Sequence, residues 1–221
     1  IDKTRLLISQ GIWEGIEELK FDRWLRNFST SEEQYFAACL LNAFTFRSRK
    51  MCHSMMRNIL MDVTPNHCRK LEINNFESIQ EWSDSLNAGN QLVRFVPVNI
   101  SDGRVKSSAV VVREFIEAND IQSRFIQQPE HIAFLDDIAG SGAQFLKFFQ
   151  QQSLINLKDA ASFIYIPLAG HTDAIKRIES THPFISVKPI DLITEKDNFF
   201  HPCKDGFFRG DQTNTVQDAK D

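Results

Sequence analysis

The first ninety residues place apolar side chains at helical spacing. Two such patterns recur at i, i+3, i+4, i+7 and i+8; they are Phe36, Cys39, Leu40, Ala43, Phe44 and Cys52, Met55, Met56, Ile59, Leu60. Each predicts an amphipathic helix. Ser29 and Thr30 precede two glutamates at capping-box spacing, which predicts where the first of these helices begins. Pro65 and Asn66 predict the end of the second.

After residue 90 the pattern changes to short apolar runs separated by polar segments. The runs, which predict buried strands, are Leu92 to Val98, Ala109 to Val112, His131 to Leu135, Ala161 to Leu168 and Phe184 to Ile193. The segments that predict helices are Arg113 to Gln128, Ala143 to Gln152 and Thr172 to Glu179. This alternation is typical of an α/β domain with a mainly parallel sheet. We therefore expect a helical region at 1–90, an α/β core at 91–210, and at 211–221 a flexible tail or a fragment of a further C-terminal part.

Composition narrows the functional class without identifying it. The 221 residues are 42% hydrophobic and include 19 Phe, which argues against a disordered or low-complexity protein. A formal net charge of −4 argues against nucleic-acid binding driven by overall charge. No apolar run approaches a membrane span, the first residues lack the features of a secretory signal, and the four Cys are widely spaced. These features predict a cytoplasmic protein with reduced thiols and no membrane association.

The segment His131 to Phe145 (HIAFLDDIAGSGAQF) carries the candidate chemistry. It predicts a strand that ends in Asp136 and Asp137, then a glycine-containing turn, then a helix. Glycines let the backbone approach an anion closely, and the free N–H groups at the start of a helix attract phosphate. The two carboxylates would repel a phosphate but can accept hydrogen bonds from vicinal hydroxyls. A phosphate with vicinal hydroxyls is the chemistry of ribose 5-phosphate.

Other phosphate motifs fit this segment less well. A Walker loop needs a Lys after its last Gly, where Ala143 and Gln144 stand, and GSGAQF lacks the third Gly of a dinucleotide fingerprint. An ordinary corner between a strand and a helix, without any ligand, would also combine Asp caps with Gly turns. The residues alone leave both a sugar-phosphate pocket and a structural corner open.

The same segment resembles the motif by which type I phosphoribosyltransferases bind 5-phosphoribosyl 1-pyrophosphate (PRPP). In that motif apolar residues precede two acidic residues and a Thr-Gly-x-Thr phosphate loop. Here Ser141 stands at the first Thr and Gly142 at the Gly, while Gln144 departs from the second Thr. The resemblance implies a Rossmann-like type I phosphoribosyltransferase fold and transfer of ribose 5-phosphate with loss of pyrophosphate. It implies Asp136 and Asp137 as catalytic residues and, for the 5-phosphate, Gly140, Ser141, Gly142, Ala143 and Gln144.

The resemblance also implies Mg²⁺, because the leaving pyrophosphate must be neutralised by a metal ion and cationic side chains. Arg104, Lys106 and Arg113 are the candidate pyrophosphate contacts, and a solvated surface explains them equally well. No side chain is predicted to bind the metal directly.

The histidines are not predicted to carry the main chemistry, although a functional role for His171 stays open. His171 follows a predicted strand, where it either serves a functional loop or caps a helix together with Thr172. His131 begins the motif strand, at the opposite end from the pocket, and is predicted to be structural. Two separated pairs without CxxC spacing predict no zinc site; they are His67 with Cys68 and His201 with Cys203.

Over most of its length the chain resembles the phosphoribosyltransferase-like proteins of bacterial conflict systems, including effectors found beside retrons and other anti-phage loci. The residues that carry this resemblance are Trp24-Leu25-x-Asn27-Phe28, the helix through Leu40 and Leu41, FVPV at Phe95 to Val98, LDDIAGSG at Leu135 to Gly142, and HPCKDGFF at His201 to Phe208. It implies an anti-phage effector that arrests growth by modifying a base, nucleotide or nucleic acid such as RNA. The alternative is a non-catalytic sensor that binds PRPP or a nucleotide. Either protein would act with partner proteins in a defence complex.

Overall fold

The computed structural model describes residues 1–71, 77–87, 93–98, 107–119 and 131–197. Its helices are α1 Asp2–Ser9, α2 Glu18–Leu25, α3 Ser31–Ala43, α4 Arg49–Asn58, α5 Thr64–Lys70, α6 Ile79–Asn87, α7 Ser107–Asn119, α8 Ala143–Gln151 and α9 Thr172–Thr181. Its strands are β1 Val93–Pro97, β2 His131–Ala139, β3 Ser162–His171, β4 Ile185–Val187 and β5 Asp191–Ile193. A π-helical turn, Ile59–Val63, joins α4 to α5, and 3-10 turns lie at Leu154–Leu157 and Glu195–Asp197. Within the described ranges, only helices precede β1.

All strand pairs in the sheet are parallel, in the order β1, β2, β3, β4. β5 also pairs with β3, at residues 169–171, which lie further along β3 than the residues that pair with β4. The carboxyl ends of β2 and β3 lie side by side, with Ala139 opposite Gly170. This edge of a parallel sheet is where α/β folds place their ligand sites.

The core on one face of the sheet is built from phenylalanines. Phe134 of β2 stacks on Phe163 of β3 and meets the edges of three rings from α8, which are Phe145, Phe148 and Phe149. The three rings of α8 share one helix face because they are spaced three and four residues apart. Burial of each ring stabilises the fold by about 2 kcal/mol. This packing fixes α8, and with it the turn that precedes α8, on the sheet.

The predicted fold class is confirmed, but the predicted strand at Ala109 to Val112 is wrong because these residues lie in α7. Val111 and Phe115, one helical turn apart, are both buried, and α7 packs on β1 and β2. Ser108 Oγ donates a hydrogen bond of 2.7 Å to Val98 O, which anchors the first turn of the helix. Helical packing on the sheet outweighs the strand preference of three consecutive valines.

Pro65 does not end the helical region, contrary to the prediction. It stands in the first turn of α5, directly after the π-helical turn Ile59–Val63. Just before it, Thr64 Oγ1 donates to Ile59 O at 2.8 Å. The chain changes to a π-helical hydrogen-bond pattern ahead of the proline and then continues as a helix to Lys70.

The predicted single strand at Phe184 to Ile193 is two short strands, β4 and β5, with Pro189 between them. Proline has no N–H to donate to a strand ladder. Gly170 of β3 makes room for the proline, since a Cβ on Gly170 would lie 2.8 Å from Pro189 Cβ. Lys188 N and Ile190 N still donate to carbonyl oxygens of β3, at 2.9 and 3.1 Å. The edge of β3 therefore stays paired across the interruption.

The chain divides into two compact units. One comprises 1–52 and 194–221, described up to residue 197, and has a small core formed by Ile8, Trp13 and Phe21. The other comprises 53–193 and contains the whole sheet. Helices do give way to strands near residue 90, but a domain boundary there stays a prediction, because α5 and α6 belong to the same unit as the sheet. The predicted tail at 211–221 lies outside the described residues.

Candidate functional site

A glycine turn joins β2 to α8 at the carboxyl edge of the sheet. Gly142 is the N-cap of α8 and has a left-handed backbone with φ of +72°. A Cβ on Gly142 would lie 3.0 Å from Ile178 Cγ1 and 3.1 Å from Ala174 O, both on α9. Backbone conformation and packing therefore both require glycine here. The amide groups at the start of α8, together with the helix dipole, favour an anion beside this turn.

The residues predicted for the 5-phosphate all lie in this turn and at the start of α8. Gly142 is buried against α9, and the others, Gly140, Ser141, Ala143 and Gln144, are exposed. A Cβ on Gly140 would meet no heavy atom within 4 Å beyond its chain neighbours, so the turn is open on that side. Phosphate binding by these residues stays a prediction, for which this open, backbone-lined turn provides the space.

The acidic pair lies inside β2 rather than after it, because the strand continues to Ala139. Side chains alternate along a strand, so Asp136 shares the face of Phe134 and points into the core under α8. Asp136 is only 1% exposed, whereas Asp137 is partly exposed. The structure thus gives different surroundings to two carboxylates for which the motif implies the same role.

Asp136 is held by two hydrogen bonds within the protein. Tyr165 Oη donates to Asp136 Oδ2 at 2.9 Å, and Asp137 N donates to Asp136 Oδ1 at 3.0 Å. Burial, followed by the neighbouring Asp137 carboxyl, raises the pKa of Asp136 to about 7, although the hydrogen bond from Tyr165 lowers it. Burial likewise raises the pKa of Tyr165. Asp136 therefore changes its charge near neutral pH. Tyr165 was missed by sequence reasoning, because only the strand register brings its hydroxyl to Asp136.

The cationic contacts predicted for pyrophosphate are only partly within the described residues. Arg104 and Lys106 lie outside them. Arg113 is exposed on α7, with its Nε 3.9 Å from Glu117 Oε1. A different cation, Arg177 of α9, donates from Nη1 to Ser141 O at 3.4 Å. No local pattern singles out Arg177, because only the packing of α9 beside α8 brings it to the turn.

The histidines near the sheet have local structural partners. His171 is the N-cap of α9, and its Nδ1 accepts a hydrogen bond from Asp173 N at 3.2 Å, which supports the capping interpretation. His131 is buried at the start of β2, where its Nδ1 is hydrogen-bonded to Ser162 Oγ. This position agrees with the structural role predicted for His131. His201 and Cys203 lie outside the described residues.

The residues in the described ranges form no cluster of metal ligands and no membrane-spanning helix. No group of three or more His, Cys, Asp or Glu there could hold a metal ion. The absence of a direct protein ligand for Mg²⁺ stays a prediction. No helix in those ranges is long and apolar enough to cross a membrane. Cys39, Cys52 and Cys68 are free thiols.

Comparison with known proteins assigns the family. No curated protein matches the chain. The profile of the family described as PRTase-CE matches residues 21–221, a span that includes the sheet, the glycine turn and the acidic pair. Because this match covers most of the chain, and because the turn and the acidic strand have the geometry described above, the chain belongs to the phosphoribosyltransferase-like PRTase-CE family.

Proposed function

We propose that this protein binds PRPP at the turn between β2 and α8 and transfers ribose 5-phosphate from it to an acceptor. The observation that carries the proposal is an open turn at a helix start beside a partly exposed carboxylate, Asp137, at one edge of a parallel sheet. The amides of the turn favour the 5-phosphate, and the carboxylate can accept hydrogen bonds from the ribose hydroxyls. Membership of the family supports the same class of reaction.

In this reaction a lone pair of the acceptor forms a bond to C1 of the ribose. The bond between C1 and the pyrophosphate oxygen breaks, pyrophosphate leaves with that electron pair, and the acceptor gives its proton to water. Positive charge develops on the sugar ring, and a well-placed carboxylate stabilises it by about 3 kcal/mol. Asp137 is the candidate for this role, and the buried Asp136 is its neighbour in β2.

The two ends of PRPP need different partners. Gly140 to Gln144 would hold the 5-phosphate, and Arg177 would add a positive charge beside Ser141. Mg²⁺ would arrive with PRPP and supply neutralisation of the leaving pyrophosphate, since the described residues form no three-ligand cluster of their own. The cationic candidates Arg104, Lys106 and Arg113 would assist it.

We further propose that the protein is a cytoplasmic effector of anti-phage defence that modifies a base, nucleotide or nucleic acid and so arrests growth. Support comes from the resemblance to phosphoribosyltransferase-like proteins of bacterial conflict systems. Exposed apolar side chains on α3 and at its end, such as Leu40 and Phe44, support docking of a partner protein.

A radiolabelled PRPP assay tests the transfer. The protein with Mg²⁺ and cell extract should release pyrophosphate and move the label to an acceptor, whereas Asp137→Ala should do neither. Asp159→Ala, which removes an exposed carboxylate outside the turn, is the matched control and should keep full activity. Any arrest of growth on expression should be relieved by Asp136→Ala or Asp137→Ala. Failure of the wild-type protein to release pyrophosphate would refute the transferase proposal.

Gln144 supports a second candidate, a sensor that binds PRPP or a nucleotide without turnover. It replaces the second hydroxyl residue of the phosphate loop, and the burial of Asp136 leaves one carboxylate of the pair facing outward. Calorimetry would then show binding of PRPP with Mg²⁺ while the transfer assay shows no product. Absence of binding would exclude both candidates.

A further inference from the structure

Tyr165 and Asp136 form a closed polar pair beneath the acidic edge of the sheet. Each residue is 1% exposed, and the Tyr165 hydroxyl donates to Asp136 Oδ2 at 2.9 Å. A buried tyrosine hydroxyl needs a hydrogen-bond partner, and Asp136 supplies it. Tyr165 in turn stacks on Phe145 of α8, with ring centroids 4.1 Å apart and planes 21° from parallel. The pair is therefore attached to the helix whose start forms the phosphate turn.

The protein itself occupies both oxygens of Asp136. Oδ2 accepts from Tyr165, and Oδ1 accepts from the backbone N–H of Asp137 at 3.0 Å. Each oxygen keeps a second lone pair, but Asp136 is only 1% exposed, so a hydroxyl of a ligand could reach it only if Tyr165 or β2 moved. Asp137, in contrast, is partly exposed on the strand end that leads into the open turn at Gly140.

We propose that the two acidic residues have different roles: Asp137 alone accepts hydrogen bonds from the ribose hydroxyls of PRPP, while Asp136 and Tyr165 are positioning residues that hold the backbone of Asp137. This inference rests on the proposed function. Phe145, Tyr165, Asp136 and the Asp137 amide form a continuous series of contacts from the first turn of α8 to the ribose-binding carboxylate. The series fixes the phosphate turn and that carboxylate relative to each other, which favours binding by pre-organisation.

The charge of Asp136 affects this arrangement. An ionised carboxylate accepts the Asp137 N–H more strongly than a neutral carboxyl does. The titratable groups that act on Asp136 are Tyr165 from β3 and its neighbour Asp137, while α8 presents the apolar Phe145. Positioning by Asp136 is therefore expected to strengthen as the pH rises through neutrality.

Calorimetric titration with PRPP and Mg²⁺ at pH 6 and pH 8 tests the inference, with inorganic pyrophosphate as a ligand that lacks the ribose hydroxyls. Asp137→Asn should weaken PRPP binding about tenfold at both pH values, as the loss of a hydrogen bond to a charged group implies, and leave pyrophosphate binding unchanged. Asp136→Asn mimics the protonated carboxyl. It should bind PRPP like the wild type at pH 6 and about threefold more weakly at pH 8.

Tyr165→Phe provides a second readout, because its effect on PRPP binding should depend on pH, which a purely structural role would not produce. Loss of its hydroxyl should raise the pKa of Asp136 further, which carboxyl ¹³C NMR measures, and should weaken PRPP binding at pH 8 by about threefold. If this variant does not fold, Asp136→Asn still tests the inference, because Asn has nearly the same shape as Asp.

The outcomes separate the two proposals. If Asp136→Asn weakened PRPP binding as much as Asp137→Asn at pH 6, Asp136 would contact the ribose itself and the inference would be wrong, while the proposed function would stand. If the wild-type protein bound pyrophosphate but not PRPP, or neither ligand, the proposed function would fail and this inference with it.

Discussion

Gly142 and Gly140 lie in the same turn but differ in the space around them. Gly142 has φ of +72°, and a Cβ there would press against Ile178 and the backbone of Ala174. We expect Gly142→Ala to lower the free energy of unfolding by about 2 kcal/mol, because alanine is strained in this conformation and has no room. Gly140→Ala is the control and should change it by less than about 0.5 kcal/mol, since a Cβ there meets open space.

Urea denaturation of the two variants measures this difference. Equal losses for both glycines would show that the turn can relax around a methyl group at Gly142, and would argue against a rigid glycine turn.

The acidic pair and the glycine turn can be predicted from the sequence, but their surroundings cannot. The order of an apolar run, Asp136, Asp137 and two nearby glycines is visible in the chain. The burial of Asp136 depends on how far β2 extends and on which face α8 covers. Its partner Tyr165 comes from a strand 29 residues away, so only the strand register could reveal the pair.

The N-terminus of α3 is the clearest case in which a local sequence pattern determines structure. Thr30 Oγ1 accepts from Glu33 N at 3.2 Å, and Glu33 Oε2 accepts from Thr30 N at 3.0 Å, which completes the predicted capping box. We expect Thr30→Ala to lower the free energy of unfolding by about 1 kcal/mol. Ser31→Ala, one position along, is the matched control and should cost nothing measurable. Urea denaturation of both variants measures this difference. Equal shifts of the two unfolding midpoints would contradict the prediction.

Elements whose conformation depends on distant packing were predicted less well. The valines at 110–112 favour a strand locally, but their helix is decided by contacts with β1 and β2. Likewise, Pro189 can lie against β3 because Gly170 leaves space for it. The capping box needed no such contacts, since all of its hydrogen bonds lie within five consecutive residues, 29–33.

Two titratable groups, the buried Asp136 and the half-buried His67, act on the stability of the protein in opposite directions. Burial raises the pKa of Asp136 from 3.8 to about 7, so between these values the folded protein holds a proton that the unfolded chain has released. Stability from this group therefore falls as the pH rises. Burial, followed by the charges of His131, Lys188 and Lys70, lowers the pKa of His67 from 6.5 to about 4. Here the unfolded chain holds the extra proton, so stability rises with pH over that window.

Because the two windows overlap between about pH 4 and 6.5, the two effects offset each other in the wild-type protein. Asp136→Asn should remove the falling contribution, so its free energy of unfolding should rise with pH relative to the wild type. His67→Gln should remove the rising contribution, so its free energy of unfolding should fall with pH relative to the wild type. Urea denaturation at closely spaced pH values measures these differences, with Asp159→Asn as a control expected to run parallel to the wild type. A parallel curve for Asp136→Asn would mean that Asp136 ionises alike in the folded and unfolded chains, which its burial against Tyr165 argues against.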